Sequence, residues 1–354
     1  MFIKPLLHTL ARGKDIPFGD NDLRHILRIV AAGMTGLFIY TWVHTSFGVF
    51  YVVWPIMLTA LVPVFNGHVA RQMIANAVLN CIEMPILIGV LIYHPPLMTV
   101  MVFLLYMVRF YCMSRGPLFL FGSMGVVSLS IMPDFLSYPT SDFHDMLVSN
   151  LIGSVLAVLL SAIYCYLIPD VTPRQRPPAI KKEANRVMHE TLLASIVATM
   201  LFIIFQVYTL SDSLAALMAG IFILFPMHYR GSIITAKWRI IGVTLGCLYG
   251  LAIQLIIYDY SNHLILMMPL ISVGLIVAAR IHVMEKVGAG VGFCILTTLG
   301  IMFGQYLHPN TDVVFTDMYR VVSVAVSIVC TLSVVYILHK VLNLFPGTRY
   351  VPES

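Results

Sequence analysis

The chain has 354 residues, of which 59% are hydrophobic and only 10% are charged, whereas a soluble domain carries about 25% charged residues. This composition excludes a soluble globular protein. The net charge of +5 does not indicate nucleic-acid binding, because the basic residues lie in short loops beside apolar segments. The six cysteines include no CxxC pair and the twelve histidines form no cluster, so we expect no disulfide framework, metal site or cofactor.

Apolar runs of about 20 residues, the length with which an α-helix crosses the hydrocarbon of a bilayer, recur along the whole chain. The sequence therefore predicts an all-α polytopic membrane protein in contact with the lipid bilayer. We place twelve transmembrane helices at residues 28–45, 47–66, 74–93, 97–114, 117–133, 146–168, 190–209, 212–228, 238–258, 263–282, 287–307 and 318–342.

The basic residues predict the orientation of these helices. If the N-terminus is cytoplasmic, all of the 21 Lys and Arg residues except Arg320 fall in a cytoplasmic loop, helix end or tail. Positively charged loops favour the cytoplasmic side, and an even number of helices returns the chain to the side on which it began. We therefore predict that both termini are cytoplasmic. The opposite side collects aspartates, namely Asp134, Asp142, Asp145, Asp212, Asp259, Asp312 and Asp317.

The longest polar break lies between Pro169 and Glu190 and contains four prolines and several basic residues. It is too short to fold as a domain of its own. We interpret it as a cytoplasmic linker, residues 169–190, between a first six-helix membrane half, residues 1–168, and a second one, residues 191–354.

The two halves resemble each other. Residues 70–82 match residues 236–248 at an offset of 166, and Arg109 matches Arg280 at an offset of 171. Because each half has six helices, the two copies would share one orientation. The sequence thus predicts two pseudo-symmetric six-helix repeats related by an axis along the membrane normal.

Glu83 is the only acidic residue near the middle of a predicted span, and Asn76 and Asn80 lie on nearly the same helix face. A carboxylate at bilayer depth is costly and usually faces a cavity or a partner. We predict that these three residues line a substrate path and that Glu83 carries the coupling proton. A protonated Glu83 that is hydrogen-bonded between helices is the structural alternative.

In the matching helix of the second half, Gly242, Gly246 and Gly250 follow one another at intervals of four residues and therefore share a face. Small residues with this spacing let two membrane helices approach closely, so we predict a helix-packing face. At the offset of 166, Gly242 and Gly246 correspond to Asn76 and Asn80. One half would then present a smooth wall to the path where the other presents a polar one.

Four arginines are candidates for a rim that gathers anions at the cytoplasmic mouth, because a guanidinium can bind a carboxylate through two hydrogen bonds. Each of them is equally compatible with an anchoring role at the membrane surface, where basic side chains extend into the headgroups. The candidates are Arg71, Arg109, Arg239 and Arg280.

The run Arg239-Ile-Ile-Gly242-Val-Thr244-Leu-Gly246 resembles the hallmark of the fusaric acid resistance (FUSC) and aromatic acid exporter family, an Arg-x-x-Gly-Thr-x-x-Gly run that opens a transmembrane helix after a basic loop. The arginine and both glycines are kept, whereas Val243 occupies the threonine position. This chain also has only the linker 169–190 where larger members carry a cytoplasmic domain. It therefore resembles a short form of the family.

The resemblance implies export of small organic anions, often aromatic carboxylic acids, across a bacterial inner membrane. It also implies a periplasmic adaptor of the membrane-fusion type and an outer-membrane channel as partners, and it leaves assembly into a homo-oligomer open. The six-helix unit also resembles that of plant aluminium-activated malate transporters, which are anion channels. A passive anion channel and a non-transporting scaffold for an adaptor complex are thus the alternatives. The chain contains no nucleotide-binding loop, nucleophile motif or metal motif that would indicate an enzyme.

Overall fold

The computed structural model describes residues 19–43, 45–137, 141–172, 174, 182–208, 210, 213–256, 264–286, 290–305 and 313–350. Over these ranges all regular secondary structure is helical, which confirms the all-α prediction. Asp212, Asp259, Asp312 and the middle of the predicted linker, residues 175–181, lie outside the described residues.

The helices follow one another in two groups of six. The first group is α1 Asp20–Tyr40, α2 Val49–Leu61, α3 Gly67–Met84, α4 Pro95–Arg115, α5 Phe119–Leu136 and α6 Phe143–Leu167. The second group is α7 Ala184–Tyr208, α8 Leu214–Ile223, α9 Tyr229–Ile256, α10 Leu264–Glu285, α11 Val291–Gln305 and α12 Val313–Leu342. After Met84 the chain continues as a π-helix, Pro85–Val90, and a short 3-10 helix, Leu91–Tyr93.

Among the described residues, nine helices are long and apolar enough to cross a membrane, which confirms the polytopic membrane class. The other three, α2, α8 and α11, are shorter than the spans predicted for them. At about 1.5 Å per residue, the 10 residues of α8 cover about half of a hydrocarbon core that is about 30 Å thick. The apolar runs of α2 and α8 are interrupted by turns that contain Pro63 and Pro226.

These shorter helices form the centre of the bundle. Nearly every residue of α2 and α8 is buried, and so are residues 291–304 of α11 and most of α5. A helix that is apolar on all sides is typical of a protein interior. The other helices surround this group of four. A helix that is surrounded by other helices does not have to be as long as the lipid is thick.

The helices pack in the same pattern in both groups. The first six form the pairs α1–α2, α1–α6, α2–α6, α3–α5, α3–α6 and α4–α5, and the second six form the corresponding pairs α7–α8, α7–α12, α8–α12, α9–α11, α9–α12 and α10–α11. Between the groups, α1 packs on α10 as α7 packs on α4, and α2 packs on α11 as α8 packs on α5. This correspondence supports the internal repeat, which stays a prediction.

The glycine face of α9 lies against α11. A Cβ atom at Gly246 would lie 2.9 Å from Cβ of Thr298, and one at Gly250 would lie 2.8 Å from Sδ of Met302. At Gly242 it would lie 2.8 Å from the carbonyl oxygen of Val291. The three glycines therefore let α9 and α11 pack closely, with backbone of α11 in contact at Gly242.

This contact predicts that Gly242→Ala destabilises the protein. Helix propensity alone favours alanine by about 1 kcal/mol, but the new methyl group meets backbone that cannot move aside, and overpacking costs about 1–3 kcal/mol. The matched control is Gly67→Ala in α3, where a Cβ would meet no atom within 4 Å. Thermal unfolding in detergent should show a lower transition temperature for Gly242→Ala only. Equal transition temperatures for both variants would contradict the packing role.

Candidate functional site

The four interior helices meet at a seam between the two halves and enclose a small cavity there. Its wall includes Trp54 of α2, Ile131 of α5, Phe222 of α8 and Thr297 of α11. The lining is apolar except for Thr297 and the indole N–H of Trp54, which donates to Oδ1 of Asn150 at 3.2 Å. The cavity measures about 10 Å³, which is the space that one water needs.

A second cavity of about 40 Å³ follows along the same seam, toward the turn that joins α1 to α2. Phe50, Ile131 and Leu214 line both cavities, so these side chains close the seam between them. The added wall residues are Ser46, Phe47 and Phe135. In this conformation the seam holds separate water-sized spaces, and apolar side chains close it to larger molecules.

Arg239 lies directly behind the wall of the first cavity. Its side chain projects from α9 and is only 1% exposed. Nη1 donates to Oγ1 of Thr297 at 3.1 Å, and Cζ lies 4.5 Å from the centroid of the Phe222 ring. Both Thr297 and Phe222 line the cavity. The guanidinium is therefore one side-chain layer from the seam.

Within the part of the chain that the structure describes, no carboxylate forms an ion pair with Arg239, and its Nε has no hydrogen-bond partner. A buried charge without a counter-charge costs several kcal/mol, so such a residue is a candidate for binding an anion. Arg239 can hold a carboxylate through two hydrogen bonds. Arg239, which the sequence predicts to be part of an anion-gathering rim at the cytoplasmic mouth, is buried beside the seam.

Arg109, the second predicted rim residue, is also buried and is paired with Glu83. Its Nη2 lies 2.7 Å from both carboxylate oxygens of Glu83. The side chain of Arg109 is 2% exposed and that of Glu83 is 13% exposed. Glu83 is the second-last residue of α3, just ahead of the π-helix Pro85–Val90. Such π-helical insertions are frequent at functional sites.

Gly125 of α5 makes room for this pair. A Cβ there would lie 2.6 Å from Nε of Arg109 and 2.9 Å from Oδ1 of Asn76. Neither of these two atoms has a hydrogen-bond partner, and the same is true of both amide atoms of Asn80. Asn76 does donate through Nδ2 to Oγ of Ser128 at 3.4 Å. A buried polar cluster with unused hydrogen-bonding capacity thus lies between α3, α4 and α5.

This polar cluster and the seam lie on opposite sides of α5. Gly125 and Ser128 face Arg109 and Asn76, whereas the neighbouring residues Val127 and Ile131 line the cavity. The predicted polar wall of Asn76 and Asn80 therefore faces α5 within the first half and not the space between the halves. The glycine face of α9 likewise faces α11 within its own half.

Arg71 and Arg280, the remaining rim candidates, are both exposed. Nε of Arg71 donates to the carbonyl oxygen of Gly67 at 3.1 Å. Arg109 and Arg280 occupy matching places in the sequence, but the first is buried in an ion pair and the second lies on the surface. The structure thus separates the four arginines into two buried and two exposed residues.

The long apolar helices of this bundle define a polytopic membrane protein. Residues 196–334 match the family described as fusaric acid resistance protein-like, and residues 25–164 match a family described as a protein of unknown function (DUF2955). No curated protein and no solved structure matches the chain. Residues 196–334 therefore form a fusaric acid resistance-like membrane domain, which confirms the resemblance predicted from the run that begins at Arg239.

Proposed function

We propose that the protein exports small organic acids, aromatic carboxylic acids in particular, through the seam between its two halves. The observation that carries this proposal is Arg239, a buried guanidinium beside the seam with no carboxylate partner among the described residues. A substrate carboxylate that enters the seam would supply the missing counter-charge. The substrate would displace Thr297 as the hydrogen-bond acceptor of the guanidinium.

The aromatic side chains around Arg239 support an aromatic substrate. Phe222, which lies under the guanidinium, contacts Phe225 with ring centroids 4.9 Å apart and Phe293 with centroids 5.9 Å apart. Aromatic rings prefer such edge-to-face neighbours. A ring-bearing carboxylate would place its charge on Arg239 and its ring among these phenylalanines.

The Glu83–Arg109 pair supports proton coupling of this export. Protonation of Glu83 removes the charge that Arg109 now neutralises, and the freed guanidinium then has to find new partners among the unused polar atoms of Asn76 and Asn80. Because α5 borders both this pair and the seam, a rearrangement at Arg109 would move Val127 and Ile131. This arrangement would let proton binding change the width of the seam.

The family resemblance supports the remaining parts of the proposal. These are a location in the bacterial inner membrane with both termini cytoplasmic, and export together with a periplasmic adaptor and an outer-membrane channel. The division into the halves 1–168 and 191–354 is supported by the two family matches, each of which covers the helices of one half.

A passive anion channel is the second candidate, and the apolar closure of the seam favours it. Hydrophobic constrictions gate channels by excluding water, and one buried arginine is enough to favour anions. In this case Glu83 and Arg109 would hold the helices together without carrying protons.

Transport from proteoliposomes distinguishes these functions. Vesicles that contain the purified protein are loaded with 4-hydroxybenzoate, and its release is followed with and without a proton gradient. Release that requires the gradient supports the coupled exporter, whereas a steady anion current that is independent of the gradient supports the channel. If protein-containing vesicles release the acid no faster than empty ones, transport of this acid by the chain is contradicted.

A further inference from the structure

Two buried histidines from different halves meet near the predicted cytoplasmic end of the seam. His25 lies on α1 and His282 on α10, each is 5% exposed, and their ring centroids are 6.3 Å apart. The α1–α10 contact is one of the contacts that join the two halves. The two histidines lie near opposite ends of the sequence, and no sequence motif connects them.

Both rings bind the end of the same helix. Nε2 of His25 lies 2.9 Å from the carbonyl oxygen of Thr59, and Nε2 of His282 lies 3.0 Å from that of Ala60. These carbonyls belong to the last turn of α2, where a helix leaves its carbonyl groups without internal partners. A carbonyl oxygen only accepts, so each Nε2 carries the hydrogen, and in the neutral ring the lone pair is then on Nδ1.

We propose that His25 and His282 together form a binding site for one proton at the seam between the halves. Nδ1 of His282 is buried and has no hydrogen-bond partner among the residues that the structure describes, so its lone pair is available to a proton. The negative end of the α2 dipole lies at both rings and favours one positive charge there. A second imidazolium at this separation would repel the first.

The charged groups around the pair agree with a single proton. On α1, Arg28 is held by Asp170 at 2.8 Å, and Arg174 lies beside the same carboxylate at 3.3 Å. On α10, Glu285 accepts from the backbone N–H groups of Val291 and Gly292. Neither α2 nor α11 contributes a charged side chain. The carboxylates are thus engaged by other donors. The arginine charges disfavour any proton on the closed pair, and a second proton would in addition be repelled by the first.

Proton binding at this pair favours an open seam. Burial disfavours the charged form of an imidazole, so the protonated pair is more stable in a conformation in which water reaches Nδ1 of His282. The ring of His282 lies 6.0 Å from that of Phe293, which in turn contacts Phe222 at 5.9 Å. A movement of His282 would therefore be transmitted through Phe293 to Phe222, which lies beside Arg239. This last step rests on the proposed transport through the seam, whereas the proton site itself does not.

Hydrogen–deuterium exchange of full-length protein in lipid nanodiscs tests the site without any transport. The last turn of α2, residues 57–62, is followed between pH 8 and pH 5, after correction for the pH dependence of the exchange chemistry. If one proton binds, the equilibrium constant for opening should rise by up to about tenfold for each unit by which the pH falls. If two protons bind, it should rise by up to about a hundredfold. The variant His25→Gln/His282→Gln keeps hydrogen-bond donors for both carbonyls and should lose this dependence.

The control is His94→Gln, which replaces an exposed histidine and should keep the wild-type pH dependence. If the double variant does not fold, the wild-type protein still provides a test. Exchange of residues 57–62 that does not change with pH in the wild type overturns the proposal. A slope that persists in a folded double variant also overturns it. If the wild-type protein shows the pH-dependent exchange but does not transport 4-hydroxybenzoate, the proposed substrate is contradicted and the proton site is supported.

Discussion

Replacing Arg239 by glutamine is expected to reduce transport of an organic acid about 10- to 100-fold while the protein becomes no less stable. A hydrogen bond to a charged group contributes about 1.5–3 kcal/mol, and glutamine cannot form the paired contact with a carboxylate. Arg239 also has no counter-charge among the described residues, so its removal relieves a desolvation cost instead of breaking an ion pair. Release of 4-hydroxybenzoate should therefore fall, whereas the temperature of thermal unfolding should stay the same or rise.

Two matched variants make this prediction specific. Arg280→Gln removes an exposed arginine from α10 and should leave transport unchanged. Arg239→Lys keeps the charge but not the planar arrangement of donors, and it should retain only part of the activity. A loss of transport that is equal in Arg239→Gln and Arg280→Gln would contradict the assignment of the anion site to Arg239.

The class of the fold could be predicted because it depends on local properties of the sequence. A span of apolar residues has to satisfy its backbone hydrogen bonds within itself, and a helix does so without any knowledge of its neighbours. The glycines of α9 could likewise be recognised as a packing face, since their spacing alone places them on one side of a helix. Their partner, α11, could not be read from that spacing.

The burial of Arg239 also had a signal in the sequence. Positions 239, 242 and 246 are separated by three and four residues and thus share one face of α9. A residue in register with a packing face is buried when that face is covered. Counting charges at the cytoplasmic side treated Arg239 and Arg280 alike, because such a count considers the position of a residue along the membrane normal and ignores its direction around the helix.

The pairing of Glu83 with Arg109 could not be predicted. It depends on how α3 and α4 are rotated against each other and on the space that Gly125 leaves on a third helix. The interior position of α2 and α8 was also missed, although their apolar residues show no periodicity. A short helix without a polar side indicates an element in the interior of a bundle. The predicted spans for α2 and α8 were too long, so this signal was not recognised.

Substitution of Glu83 is expected to have the second large effect. It tests whether the Glu83–Arg109 pair only stabilises the fold or also couples transport to protons. Glu83→Gln leaves a buried guanidinium without its counter-charge, and the loss of one partner of such a pair costs about 3–5 kcal/mol. We expect a marked fall in the unfolding temperature and no export driven by a proton gradient. The Glu190→Gln variant, which removes the partner of Lys182, should lower stability without changing the proton dependence.

Replacing both members of the pair resolves what stability alone cannot. The variant Glu83→Leu/Arg109→Met fills the site with apolar side chains of similar size, and such replacements of buried ion pairs are often neutral or stabilising. Its unfolding temperature should return to near that of the wild type. If Glu83 carries the coupling proton, this stable protein should still be unable to link export to the gradient, because neither remaining side chain can bind a proton. Gradient-driven export by the double variant would instead mean that the pair only holds α3 and α4 together, and the coupling proton would then have to bind at another site.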